Sequence, residues 1–194
     1  MLFRGAGGVA SLDGWASRGF PPAVERGPGA SDRQDVYERV VATEPPGPPI
    51  ENGPHRRAAA AILGYDIFPA SIGRGVIVRN PVEVGDTVGL RYRLGLGVEM
   101  FFASRVIARF DEQRGDTWHT GFTYRTLAGH PELGEETFSA EKNLTTGDVM
   151  VALRSWSRPG ILLTKLTAPF ARRAQRFGSR AAIEHLKTIA TAST

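Results

Sequence analysis

From residue 76 to residue 157 the chain is a succession of short apolar–polar alternating runs joined by brief connections. That feature constrains the fold more than any other. Parallel pairing needs a crossover of a dozen or more residues, so runs this close together pair antiparallel. The runs cover 76–79, 87–93, 99–110, 116–126, 136–141 and 148–157. Asn80-Pro81, Gly85-Asp86, Asp111 to Gly115 and Thr145-Thr-Gly-Asp148 punctuate them as turns. Six or seven strands in a continuous antiparallel sheet are expected, with the glycines at 73, 75, 85, 89, 95 and 97 helping it twist and bend.

The flanks complete the architecture. Ser157-Arg158-Pro159 closes the sheet, and a helical pattern then runs to the end, interrupted near Pro169. Phe170, Ala174, Phe177 and Ala181 form its apolar stripe, widened by Ala182, Leu186 and Ile189, with Arg172, Arg176 and Arg180 opposite. Ahead of the sheet, Pro54 to Leu63 reads as a helix: proline suits its first turn, alanines favour it and Gly64 stops it. Ser31 as a cap, with Val36, Val40 and Val41 at i, i+4 and i+5, predicts a short amphipathic helix over 31–41. Eight of the 13 prolines lie in the first 54 residues. The division expected is therefore a Pro/Gly-rich segment over 1–54 and one α+β domain over 55–194. Two helices, a sheet and one long terminal helix make the helix-grip order: a curved antiparallel sheet wrapped on the C-terminal helix. An apolar cavity can form between the two.

Composition removes several classes of function. Without cysteine there is no disulfide framework, no thiolate metal site and no Cys nucleophile. No stretch approaches the ~20 apolar residues of a membrane span. The N-terminus has no apolar core of secretory length, so a cytoplasmic protein is expected. Residues 1–54 carry five basic and seven acidic groups, residues 55–154 twelve of each, and residues 155–194 seven basic and one acidic. The net charge of +4 is thus concentrated in the last forty residues.

The run Gly121-Phe-Thr-Tyr-Arg-Thr-Leu-Ala-Gly-His-Pro-Glu-Leu-Gly-Glu-Glu-Thr-Phe138 is the most specific motif in the chain. It resembles the hallmark of uncharacterised protein family 0548, a domain-of-unknown-function family, in its Gly-Phe, Tyr, Thr-Leu, Gly-His-Pro-Glu, Gly-Glu-Glu and Phe positions. Arg125 and Ala128 stand where that family has Gly and Pro. Ser157-Arg158-Pro159, Pro169 and Gln175 extend the likeness, which covers roughly residues 55–190. In element order the family is similar to the START-like, lipid-transfer and polyketide-cyclase class. The resemblance implies that fold and no particular activity.

Two functions stay open on the residues. One is binding of a small hydrophobic or lipid-like ligand, walled by Phe101, Phe102, Trp118, Phe122, Tyr124, Phe138, Trp156 and Phe177. The other is a START-like cavity enzyme of the cyclase or hydrolase type. Its acid/base candidates are Tyr124, His130 and a carboxylate among Glu132, Glu135 and Glu136, with Arg158 beside them. Equally, those carboxylates can cap amides or pair with Arg125 or Arg158 in a tight connection over 130–136. Their spacing fits no metal motif, and no cofactor is expected. The basic stripe Arg172, Arg173, Arg176 and Arg180 suits either a solvated helix face or transient contact with a membrane surface. Nucleic acid is not expected, since no aromatics interleave as a stacking platform requires. The sequence sets no oligomeric state.

Overall fold

A computed structural model describes residues 2–4, 12–95, 98–159 and 168–192. The strands are β1 (Leu2–Arg4), β2 (Arg33–Thr43), β3 (Gly73–Val76), β4 (Thr87–Gly95), β5 (Val98–Arg114), β6 (Thr117–Thr126), β7 (Glu132–Asn143) and β8 (Asp148–Pro159). The helices are α1 (Asp13–Ala16), α2 (Pro22–Glu25), α3 (Pro54–Leu63) and α4 (Ala168–Thr191). Seven strands run in the order β2-β8-β7-β6-β5-β4-β3, with β1 added against β5, and every pair is antiparallel. The helix-grip expectation is met: the sheet curls round the terminal helix.

Alternation sorts each strand into an inner and an outer face. Val106, Phe122, Phe138, Ala140, Val149, Val151 and Leu153 point inward. There they meet Ala58, Ala59 and Ile62 of α3 and Ala182, Ile183, Leu186 and Ala190 of α4. Leu12 and Trp15 cover Phe101, Ala103 and Leu127 in a second cluster. It lies on the outer face, where a Cβ on Gly89 would meet both Phe101 and Leu12. Sheet plus helices thus bury two cores on opposite sides of one layer.

Residues 31–41 do not form the expected helix. They enter β2, which pairs with β8 from Arg33↔Ser157 to Thr43↔Asp148. Its inner positions are Arg33, Asp35, Tyr37 and Val41, while Val36 and Val40 face out and stay exposed. Apolar residues outside and polar ones inside imitate the wrong period. A bulge between Val40 and Ala42 adds to the disguise. The sheet therefore takes in a strand from the segment before residue 55. The first mid-chain strand is Gly73–Val76 rather than 76–79, and β7 begins at Glu132, so the motif connection is shorter than the 130–136 loop expected. The buried stripe of α4 is Ser179, Ala182, Ile183, Leu186 and Ala190, not the one through Phe177, which is 63% exposed.

Candidate functional site

Cross-strand register lays the inner face out in rows. One row is apolar: Phe122 opposite Phe138, then Leu153, then Tyr37. Two residues further along each strand the row reads Tyr124, Glu136, Ser155, Asp35. Next come Thr126, whose hydroxyl accepts from the Gly134 amide at 3.0 Å, then Ser157 and Arg33. Within two steps the concave face passes from hydrocarbon to hydrogen-bonding groups.

Aromatic rings pack where the two regimes meet. Phe138 lies 5.5 Å from Phe122 and 5.4 Å from Tyr124, centroid to centroid. Tyr65, just past α3, stands edge-on to all three at 6.0–6.5 Å. The Tyr124 hydroxyl donates to Glu136 Oε2 at 2.8 Å, and the Tyr65 hydroxyl adjoins that of Tyr124. Burial holds the Glu136 carboxyl up at about 7. Its bond from Tyr124 pulls the other way, and the Asp35 charge adds to the rise. Burial also drives Tyr124 well above the ordinary phenol range, helped by Glu136 and Tyr65. The result is a carboxyl–phenol pair whose carboxyl is neutral below about 7 and half ionised there, so that near neutrality it can both donate and accept.

His130 belongs to a different grouping. Its Nδ1 sits 3.1 Å from the Glu132 amide and 2.6 Å from the Glu132 carbonyl oxygen, and its ring lies edge-on to Phe102 at 4.6 Å. Its Nε2 has no hydrogen-bond partner among the described residues. Burial pushes the imidazole down to about 4, so it is neutral. The Glu132 carboxylate accepts from Arg33 Nη2 at 3.0 Å, and Arg33 Nη2 also donates to the Ser157 hydroxyl at 3.0 Å. Arg33 Nε lies 3.8 Å from Asp35.

Of the expected acid/base set, the fold joins Tyr124 with Glu136 and leaves His130 outside that pair. Glu135 is turned to the outer face, where Arg125 Nε donates to it at 2.7 Å. Arg158 pairs with neither Glu135 nor Glu136. It meets Asp32, donates to the Gly27 carbonyl at 3.0 Å and lies over the Trp156 ring. Of the expected cavity walls, Phe122, Tyr124 and Phe138 come together and Phe102 borders His130. Trp118 sits half-buried at the far end, its Nε1 donating to Asp111 at 2.6 Å. Phe101 and Trp156 lie on the outer side of the sheet, because alternation from Phe102 and Leu153 sends them there. Phe177 is on the solvent side of α4. Arg173, Arg176 and Arg180 are exposed there too, and the Arg172 side chain lies outside the described residues.

Sequence reasoning missed Tyr65 and Asp35. Asp35 was hidden by the helical reading of β2. Tyr65 has a positive φ of 55° immediately after the Gly64 helix stop, a signal that the chain reverses there into the core.

The family model described as "Domain of unknown function (DUF1990)" matches residues 24–185. No curated protein matches the chain. Among solved structures, hypothetical protein jhp0584 from Helicobacter pylori is 11% identical at TM-score 0.56, over 84% of this chain and 90% of that one. The solution structure of KanY protein is 12% identical at TM-score 0.53, over 84% and 99%. Ginseng major latex-like protein 151 from Panax ginseng is 11% identical at TM-score 0.50, over 83% and 99%. Likeness at this identity shows the START-like fold alone. No helix among the described residues is long and apolar enough to cross a membrane.

Proposed function

Because the chain belongs to the DUF1990 family of domains of unknown function and carries the START-like fold, we propose that it is a cytoplasmic protein that binds a small hydrophobic or lipid-like molecule between the sheet and α4. The observation that supports this reading best is the Tyr124–Glu136 pair, its phenol buried and its carboxyl half-buried, at the polar end of an otherwise apolar concave face. A core built only for stability gains nothing from a carboxyl there, since burying it costs free energy. As a ligand site the arrangement has a use: with the helices shifted off Phe122 and Phe138, which they now bury fully, an apolar body lies along those two rings, and a hydroxyl or carbonyl head meets Tyr124 and Glu136. Glu136 and Asp35 in one row disfavour an anionic head.

Native mass spectrometry of the full chain, alone and with dodecanol or dodecanoate, tests the reading. The expected result is a one-to-one complex with dodecanol, weaker binding of dodecanoate, and about tenfold loss of dodecanol affinity in Glu136→Gln or Tyr124→Phe. No co-purifying apolar molecule and no dodecanol complex would overturn it.

One observation favours a second reading, a START-like enzyme. A carboxyl at about 7 is suited to general acid/base work near neutrality. In that case Tyr124 and Glu136 carry the chemistry without His130, and turnover of a captured ligand follows an ionisation near pH 7 that Glu136→Gln abolishes. We also read the family as uncharacterised protein family 0548, on the 121–138 motif.

A further inference from the structure

The exposed side of α4 presents an aromatic residue among cations. Arg173, Arg176, Phe177 and Arg180 fall at i, i+3, i+4 and i+7, so they share one face. All four are exposed, and Phe177 is exposed over 63% of its surface. The opposite stripe, from Ser179 through Ala182, Ile183 and Leu186 to Ala190, already fills the core, so the fold has no need of Phe177. Among the described residues none of the three arginines makes an ion pair. The nearby acid Glu184 is engaged by Arg39 of β2. The arginines stand in the forty-residue segment that carries seven basic groups against one acidic. Beside them a groove of about 400 Å³ runs between β2 and α4, with Val36 and Ile183 on its walls and Arg180 at its side.

We propose that this face docks on an anionic lipid surface, the arginines meeting phosphate and carboxylate headgroups and Phe177 entering the interface between them. The chemistry is that of an interfacial amphipathic helix: cations supply attraction to charged lipid, and the buried aromatic supplies the apolar term. A single aromatic flanked by cations forms a wedge. A nucleic-acid platform would need several rings in succession. The docking requires no ligand in the concave face, so it stands whether or not the cavity reading does.

Co-sedimentation of the full chain with phosphatidylcholine vesicles, with and without phosphatidylserine, tests it. Binding is expected only with phosphatidylserine and falls as salt screens the charges. Replacing Arg173, Arg176 and Arg180 together by alanine is expected to weaken binding roughly a hundredfold. Phe177→Ala is expected to weaken it about tenfold. Both leave the circular dichroism spectrum and thermal midpoint unchanged, because these side chains are exposed. A Phe177→Trp variant reports insertion directly: its added emission is expected to shift to the blue on anionic vesicles and to be quenched by brominated acyl chains. Equal binding to both vesicle types, no blue shift, or displacement from vesicles by single-stranded RNA at equal charge would overturn the proposal.

Discussion

Glu136 is a carboxyl group whose ionisation the fold delays to about pH 7. Its folded value of about 7 stands above the ordinary 4.5, so over that interval the unfolded chain releases the proton while the folded one retains it. Stability from this residue therefore falls as pH rises from about 4.5 to 7, and the penalty is complete above that range. Glu136→Gln is expected to flatten this part of the profile and to melt higher than the parent at pH 8, as thermal denaturation would show. An unaltered slope would place the neutral carboxyl elsewhere. That the motif contains two adjacent glutamates is plain from the sequence. Which one faces Tyr124 depends on register across β6 and β7, and the connection over 127–131 is too irregular to set that register in advance.

Strand β7 also turns a cation inward, Lys142, and the connection after β2 supplies its counter-ion. Lys142 Nζ lies 2.8 Å from Glu44 with both side chains fully buried, and donates to the Pro48 carbonyl at 3.0 Å. Glu44 also accepts from the His55 amide at 2.8 Å and the Ile50 amide at 3.3 Å. Burial alone would raise its carboxyl, but Lys142 and these amides bring it below the ordinary value. The proline-rich turn is thus fastened to both the sheet and the start of α3. Removing one partner strands the other: Lys142→Met is expected to lower stability by about 3–5 kcal/mol in urea denaturation. The Glu44→Gln/Lys142→Met double variant should lose less than the sum of its singles. Gly147, with φ at 80° and no room for a Cβ against the Glu44 carbonyl oxygen, closes the same corner. Its replacement by alanine is expected to cost at least about 1 kcal/mol in the same assay. Some elements are legible from local rules. Helix α3 has the bounds that Pro54 and Gly64 announce. Strand β2 is not legible, because Arg33 and Asp35 serve the polar end of the concave face and so break the alternation that marks a strand.

Across the whole molecule the buried histidines oppose Glu136. His55 and His130 are each held at about 4 by burial, against an ordinary 6.5. The stability they confer is complete above about 6.5 and is lost as the pH falls toward 4. With Glu136 offsetting one of the two histidines, thermal midpoints across a pH series are expected to rise from about pH 4 to about pH 7 and to change little above that. A profile rising steadily to pH 9 would exclude this balance. A chain cut to residues 55–194 lacks the strand that pairs along β8 from Asp148 to Ser157. It is expected to show no cooperative melting transition, whereas deletion of 1–11 leaves that strand intact.

The pairing of β2 with β8 also has a consequence in time. Arg33 meets Ser157, so the outermost strand is among the first made and its neighbour is the last strand completed. On the ribosome β2 emerges with no partner and waits for nearly the whole domain to be synthesised. Its exposed valines and open edge are then available to any other extended segment. Closure of the sheet is therefore a late, long-range event, and the rate of productive synthesis depends on how long a nascent edge can remain unpaired without finding the wrong strand.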